Sequence, residues 1–442
     1  MKIQFISGQL STEFFQESIS PKELSNHLGE FVTLHGSIYK IRKMSGFAFV
    51  LLRTPRQIIS CIYGEFSEFN LKSISEESCV KITAIVHPEP RAKQGFELRL
   101  KTLQILSSPV EQCPIVIHNK ELPISLETCL DYRPISLRNE KNRAIFQLQA
   151  GICSGIRHFL DNHEFTEIHT PKLGASGAEG GATLFTLPYF GKEACLAQSP
   201  QFYKQILTGV YERVYEIAPV FRAEKHDTSR HLNEYTSVDV ELGYLKDFAQ
   251  LMQLETAMLS SIFSFLSENY KAELELLSIH LPKINQIPVI RFSQAKSYLN
   301  FLSSEKEDLS PEEERLLCEK VYQETGSEFI FVTHYPTKKR PFYAMENPEN
   351  REETLSFDLL FRGMEITTGG QRIHSYEEQL AKIRRLGMDE AVLKSYLMIH
   401  RYGIAPHGGF GLGLERFLTC LAQLPNVRYG CLFPRDIHRL TP

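Results

Sequence analysis

Several features that would assign this chain to a common class are missing. No two of its nine cysteines form a C-x-x-C or other close pair, and their number is odd. A zinc site of ordinary spacing therefore has no support, and free thiols in a reducing compartment fit better than a disulfide scaffold. No uncharged apolar run reaches the ~18 residues of a membrane span. The opening MKIQFISGQLSTEFF has no sustained apolar core and does not read as a signal peptide, so the expected location is cytoplasmic. Positive charge is not in excess: the formal net charge is −4, which argues against non-specific binding to long nucleic acid. Internal repeats, low-complexity tracts, a P-loop, H-E-x-x-H and a nucleophile elbow are also absent, and the glycines of HGGFGLGLERF do not have dinucleotide-fold spacing.

What is present is a chain of 442 residues, 42% apolar and 23% charged, long enough for two or three domains of ordinary globular composition. Residues 1–30 read as a short helical or irregular lead-in. Five strand-like runs follow, FVTLHGSIYKIR, GFAFVLLR, QIISCIYG, CVKITAIVHPEP and GFELRLKTLQIL, divided by glycine, proline and charged turns. They predict a small five-stranded barrel over 31–106, which with the lead-in makes a first domain of 1–106; closure would remove exposed sheet edges, and a small sandwich is the competing shape. Prolines in SSP, QCP, ELP and YRP mark 107–135 as an extended hinge. Residues 136–442 read as α+β. Strands are expected at EFTEIHTPK, RVYEIAPVFRAE, YTSVDVELGYL, FIFVTHYP and LSFDLLFRGMEIT. Helices are expected over LRNEK…LDNH, SPQFYKQILTG, DFAQ…SENY, 306–325 and 375–397, and after the glycine turn of GGFGLGLERF.

Four constellations carry chemistry. In FRAEKHDTSRHLNEYTSVDVE, Arg222 and Glu224 on one strand and Asp239 and Glu241 on the return strand fall on one face, opposite Val238, Val240 and Leu242. This describes a sheet facing a polar cavity; surface ion pairs on a solvated strand would give the same pattern. In FDLLFRGMEITTGGQR, Asp358 and Glu365 are seven apart, so a bulge or Gly363 must bring them to one side before they suit Mg²⁺ shared with phosphates; ordinary ion pairing is the alternative. Arg372, after two glycines, can reach a carboxylate bidentately. The glycines before Glu415 and Arg416 permit close backbone approach, and an arginine there suits a phosphate or an adenine face. GASGAEGG, around Glu179, reads as a mobile lid, and Gln201 and Lys204 share a helix face, so that Lys204 and Arg372 would form a dicationic pocket for an anion. Among the histidines, His231 stands out by its place in the charged loop.

Together, EFTEIHTPK, FRAEKHDTSRHLNEYTSVDVE and GFGLGLERF, with AQSPQFYKQ, SFDLLFRG, TTGGQRIH and LFPRDIHRLTP between and after them, resemble the class II aminoacyl-tRNA synthetases of the aspartate/asparagine/lysine subgroup, in particular the archaeal-type aspartyl branch. The resemblance covers about residues 28–442. It implies an N-terminal OB barrel that grips the anticodon and a catalytic domain on a mainly antiparallel sheet flanked by helices. The implied reaction is aspartate-tRNA ligation: L-aspartate and ATP give aspartyl-adenylate, and aspartate passes to the terminal adenosine of tRNA. Arg222, Glu224, Arg230, His231, Glu365, Gly413 and Arg416 would bind ATP, with Arg222, Glu224 and Arg416 catalytic and Phe410 or Phe221 against adenine. Glu179, Gln201, Lys204, Asp239 and Arg372 would bind aspartate, and Asp358 and Glu365 would hold Mg²⁺. A homodimer paired through the first motif is also implied.

The resemblance further implies anticodon contacts from Arg42 and Phe49. Where the subgroup commonly has tryptophan, glutamine and, in aspartate-only archaeal-type enzymes, lysine, this chain has Ser37, Ser60 and Pro88. Loss of discriminating contacts predicts an enzyme that charges tRNA(Asp) and tRNA(Asn) alike and relies on an amidotransferase to finish Asn-tRNA(Asn). Discrimination through Tyr39 or His87, asparagine as substrate, and a catalytically silent paralogue are the competing expectations.

Overall fold

A computed structural model describes residues 19, 23–55, 57–92, 95–175, 177, 184–300 and 306–441. The expected lead-in over 1–30 and the glycine-rich lid with Glu179 fall largely outside them. Two compact units divide at Asn142/Arg143.

The first unit holds β1 (Phe31–Lys43), β2 (Ala48–Arg53), β3 (Ile58–Tyr63), β4 (Cys79–Pro88) and β5 (Phe96–Ser107). Inward Val50, Leu52, Ile59, Cys61, Val80, Ile82, Leu98 and Leu100 alternate with less buried outward residues, polar and apolar, which is why these segments are strands around one core. They pair in a ring, β1-β2-β3-β5-β4 and back to β1. The expectation of an edge-free barrel needs correction. The β3–β5 seam is only two parallel pairs, Cys61↔Leu98 and Ile62↔Arg99, so most of β3 has no ladder partner on that side and the sheet is not zipped shut along its length. The cause is that six-residue β3 meets a β5 whose ladder runs along β4. Residues 108–125 are irregular, but α1 (Leu126–Asp131) and α2 (Arg133–Ser136) lie within the segment read as extended: Ser125 caps α1, and Pro134 sits in the first turn of α2, where its missing N–H costs nothing.

The second unit follows the first turn of α3 (Glu140–Asn162). Next come β6 (Thr166–Glu167), β7 (Leu173–Gly174), β8 (Thr186–Tyr189), β9 (Lys192–Leu196), α4 (Gln201–Tyr211), β10 (Arg213–Phe221), β11 (Glu234–Gly243), α5 (Ala249–Asn269) and α6 (Lys271–Leu277). After these come β12 (Val289–Arg291), α7 (Phe292–Tyr298), α8 (Pro311–Thr325), β13 (Phe329–Thr333), β14 (Glu346–Asn347), β15 (Asn350–Thr354), β16 (Ser356–Phe361), β17 (Met364–Gln371), α9 (Tyr376–Arg385), α10 (Lys394–Tyr402), β18 (His407–Gly413) and α11 (Leu414–Ala422). The main sheet runs β12-β13-β16-β17-β18-β11-β10-β6, antiparallel except at its two edge pairs. One face packs Val238, Val240, Phe357, Leu359, Phe410 and Leu412 against α3, α5 and α11. Among the described residues no helix is long and apolar enough to cross a membrane. All nine cysteines are free thiols.

Three element readings change. EFTEIHTPK contributes only the two residues of β6; beyond it, Glu216 of β10 accepts from the Thr170 N–H (2.8 Å) and hydroxyl (2.7 Å) and so holds the chain by side chain rather than ladder. LSFDLLFRGMEIT is a hairpin, not one strand, because Arg362 and Gly363 both take positive φ and reverse the chain. The glycines before α11 form β18, a central strand, rather than a turn.

Glu255 of α5 is fully buried, and burial, reinforced by the nearby Asp358 charge, pushes its carboxyl up to about 8. A folded-state pKa raised above the unfolded one gives stability that is complete below the unfolded value near 4.5 and is lost as pH rises to about 8. Glu255→Gln removes the titration. Its melting temperature relative to the parent should therefore rise between pH 5 and 8, by the equivalent of a few kcal/mol (order of magnitude). A difference that stays constant across thermal melts over that range would contradict the assignment.

Candidate active site

The polar face of the main sheet opens with β11. Ser237, Asp239 and Glu241 alternate with core Val238 and Val240, as the period-2 reading requires, and all three are buried. Their carboxylates fit because β18 beside them is made of glycine: a Cβ on Gly409 would lie 2.3 Å from Glu241 Oε2 and 2.0 Å from the Val240 carbonyl oxygen. Two cations from distant elements meet them. Lys204 Nζ, projecting from α4, is 2.8 Å from Asp239, 3.4 Å from Glu241 and 3.3 Å from the Phe410 carbonyl. Arg372, just past β17, donates Nε to Glu241 Oε1 at 2.9 Å and Nη2 to Oε2 at 3.3 Å and to the Gly409 carbonyl at 3.0 Å. Burial alone would raise Glu241, but Arg372 and Lys204 outweigh it and hold its carboxyl below the ordinary range.

This corrects the dicationic pocket. Two cations and two carboxylates form a formally neutral network, and the three donors of Lys204 face three acceptors of its own chain. Glu241, on β11 two residues from Asp239, was noted only as part of a charged face; it is the counter-ion that fixes Arg372. Gln201 shares the buried face of α4 with Lys204 but donates to Gln205 at 2.9 Å.

Arg222 and Glu224 lie beyond β10, in the loop 222–233, not in the strand expected for them. The ladder continues one step, Arg222 N–H to the Asn233 carbonyl at 2.8 Å. Asn233 Nδ2 donates to the Arg222 and Glu224 carbonyls at 2.7 and 2.8 Å, fixing both ends of the loop. The chain end adds further ties: Arg428 to Asp227 at 2.7 Å, and Asn233 N–H to the Arg435 carbonyl at 2.8 Å. Arg416, in the first turn of α11, donates to the Arg230 carbonyl at 3.3 Å and the Glu365 carbonyl at 3.2 Å. It thereby joins the loop to β17. Gly413 is the N-cap of α11 beside it. His231, its Nδ1 2.6 Å from the Thr228 hydroxyl, is pushed down to about 4 by burial, then by Arg416 and His226, and is a neutral imidazole at physiological pH. Phe410 is fully buried in the core and is not free to stack on a base; Phe221 ends β10 and is half-buried.

Asp358 and Glu365 do reach one side. The register shifts between Leu359 and Leu360, Asp358 faces Thr368 across the hairpin, and the Thr368 hydroxyl donates to Glu365 at 2.7 Å. Their surroundings differ. Asp358 is buried in an ion pair with Arg340 (2.8 Å), whose guanidinium stacks on Tyr335 at 4.0 Å. Burial, offset by Arg340 and reinforced by Glu365, moves Asp358 up to about 6. Enclosure would raise Glu365 too, but Arg416, the Thr368 hydroxyl, Arg340 and Arg222 hold it low. Glu314 was missed: read as part of a charged insert, it pairs with Arg230 and accepts the Glu365 N–H at 3.1 Å. Thr368 and Arg340 also gave no signal, since their partners are far away in sequence or depend on the bulge.

In the first unit, Arg42 and Phe49 are direct cross-strand partners, and Ser60 lies opposite Leu51 on the same outer face. Ser37 faces Arg53 across the β1–β2 pair, and Pro88 is exposed at the end of β4, next to His87, which faces Glu97. Tyr39 is buried, with its hydroxyl donated to the Ile117 carbonyl at 2.7 Å, so its polar group is turned away from that face.

An antiparallel sheet with a charge-lined face, a tethered loop between β10 and β11, and an arginine at the head of a helix leaving a glycine strand define a class II synthetase catalytic unit. The chain belongs to the tRNA synthetases class II (D, K and N), whose family model matches residues 125–437. It is 45% identical to the aspartate–tRNA(Asp/Asn) ligase of Thermus thermophilus over 95% of this chain and 99% of that protein. It is 36% identical to the aspartate–tRNA(Asp) ligase of Pyrococcus horikoshii over 94% and 97%. In structure it resembles the asparaginyl-tRNA synthetase of Pyrococcus horikoshii complexed with asparaginyl-adenylate, with a TM-score of 0.88 and 30% identity over 96% of this chain and 99% of that one.

Lys204→Met should expose the cost of the network. It leaves Asp239 without its buried cation and should destabilise the protein by about 3–5 kcal/mol. Adding Asp239→Asn should recover part of this. Urea unfolding of the three proteins measures it; an unchanged midpoint in Lys204→Met would refute the pairing.

Proposed function

We propose that the protein is an aspartate-tRNA ligase that charges both tRNA(Asp) and tRNA(Asn). The observation that carries the choice of aspartate is Arg372, whose Nε and Nη2 are held by buried Glu241, so that the guanidinium is fixed in one orientation as a preorganised cation for the substrate's side-chain carboxylate. Lys204 acts as the positioning residue that pairs with both Asp239 and Glu241. Asp239, with Gln201 and Glu179, takes the α-ammonium of the substrate.

In the first step an oxygen of the aspartate α-carboxylate attacks the α-phosphorus of ATP, an acyl–phosphate bond forms, and pyrophosphate leaves. No activated protein nucleophile is required, so alignment and charge stabilisation carry the catalysis. Arg222 meets the α-phosphate, Glu224 the adenine amino group or the acceptor-end adenosine, and Arg230, neutral His231 and Arg416 the outer phosphates, with Gly413 allowing the nucleotide near the backbone. Mg²⁺ would neutralise phosphate charge. Glu365, with the Thr368 hydroxyl beside it, offers hard oxygen donors on the open face, whereas Asp358 is held by Arg340 and acts as the buried member of the carboxylate pair. In the second step a hydroxyl of the terminal tRNA ribose attacks the aspartyl carbonyl and AMP leaves.

Service to two tRNAs is supported by the small side chains Ser37 and Ser60 and by Pro88 on the barrel strands, near the Arg42–Phe49 pair suited to anticodon contact. A missing base contact weakens rejection by about 1–3 kcal/mol. Higher identity to a relative named for both tRNAs than to one named for tRNA(Asp) agrees with this. A homodimer and a tRNA-dependent amidotransferase downstream complete the reading.

Pyrophosphate exchange should be driven by aspartate and not by asparagine, and Arg372→Ala should lose aspartate binding far more than ATP binding; faster exchange with asparagine would sink the choice of substrate. Purified transcripts of tRNA(Asp) and tRNA(Asn) should be charged with aspartate at efficiencies within about tenfold, the span of one such contact. A preference for tRNA(Asp) of several hundred-fold would show that the barrel still discriminates.

A further inference from the structure

The loop 222–233 brings together a ligand set that the adenylate chemistry does not use as a set. One carboxylate oxygen of Glu224 and one ring nitrogen each of His226 and His231 lie within 4.8 Å of one another. His226 Nδ1 is 3.4 Å from Glu224 Oε2, and the two imidazole centroids are 4.9 Å apart. We propose that Glu224, His226 and His231 bind a divalent transition metal of the Zn²⁺ type when nucleotide is absent, closing the loop on itself.

Two imidazoles and one carboxylate form a three-ligand set that leaves the fourth tetrahedral position to water, and such borderline donors favour Zn²⁺ over Mg²⁺. Tetrahedral bonds of about 2.0–2.1 Å place ligand atoms about 3.4 Å apart, so an inward shift of one to two ångströms completes the site. His226, whose side chain is 57% exposed, can make that shift. Neighbours restrain the other two ligands. Asn233 holds the backbone carbonyl of Glu224 at 2.8 Å, and the Thr228 hydroxyl lies 2.6 Å from His231 Nδ1; in the tautomer whose Nδ1–H donates to Thr228, Nε2 is left for the metal. Arg230 pairs with Glu314 and Arg416 with Glu365, which offsets part of the positive charge that these guanidinium groups place near the site.

Because Glu224 and His231 are also assigned to ATP, a consequence that rests on the proposed function is that Zn²⁺ and ATP exclude each other. Calorimetric titration of the full chain with Zn²⁺, in excess Mg²⁺, should give one site per chain. The affinity should fall at least tenfold in His226→Ala, and also in Thr228→Val, which alters no ligand. Cobalt(II) bound at the same site should give a spectrum without the thiolate charge-transfer band that cysteine ligation would produce. Equal affinity in His226→Ala and the parent, with circular dichroism showing both folded, would overturn the proposal, as would a thiolate-dominated cobalt spectrum. If the site is lost in His226→Ala but ATP does not displace Zn²⁺ from the parent, the metal site stands and the nucleotide roles of Glu224 and His231 fall.

Discussion

The structure depends on burying four charges against a strand without side chains. Lys204, Asp239, Glu241 and Arg372 come from α4, β11 and the end of β17, and every one is buried. Taking each ion out of water costs several kcal/mol, so the group persists only if opposite charges and hydrogen bonds surround each member. Gly409 supplies the space: a side chain there would collide with Glu241 and with the backbone of β11. The carbonyls of Gly409 and Phe410 then accept from Arg372 and Lys204, so β18 gives up side-chain volume and provides acceptors instead. A strand that looks empty in sequence is therefore what allows the polar floor of the cleft to be rigid.

Rigidity at the floor contrasts with the loop above it. Residues 222–233 are tied at their ends by Asn233, from one side by the 428–435 segment, and from the other by Arg416 and Glu314. These ties act on backbone groups and on the side-chain ends of Asp227 and Arg230. The polar ends of Glu224 and His226 remain partly or largely exposed. On the proposed function, a polyanionic ligand would meet Arg222 and Arg230 on a backbone that is already positioned, which lowers the ordering cost of binding.

Much of this was legible in the residues. Alternation in YTSVDVELG correctly separated Asp239 and Glu241 from Val238 and Val240, and the strand runs of the first unit fall where expected. What escaped was information carried by tertiary contact. GGFGLG reads locally as a turn because glycine weakens a strand; only β11 and β17 on either side make it one. Glu314 looks like any acid in a charged helix, and its role comes from Arg230, 84 residues away. Lys204 reads as a cation seeking an anionic ligand, because the sequence does not reveal that its donors face partners inside the protein. The incompletely zipped barrel likewise follows from relative strand lengths and a parallel seam, which alternation does not encode.

The hairpin β16–β17 shows how one reversal of the chain differentiates two similar groups. On a single regular strand, carboxyls seven residues apart would point to opposite faces; the turn at Arg362 and Gly363 pairs Leu360 with Glu365 and so brings Asp358 and Glu365 to one face. There each charge acts on the other. Two like charges so placed do not ionise with equal ease, and the surroundings decide which holds its charge more readily. Asp358, deeper, is raised by burial and by Glu365 despite Arg340; Glu365, nearer the open cleft and facing Arg416, Arg340 and Arg222, is lowered. The outer carboxylate is thus kept charged on the side where phosphates and Mg²⁺ would arrive, while the inner one shares its pairing with a buried arginine. The hairpin reversal and the unequal partners it brings to the two acids, rather than either acid alone, produce that division of labour.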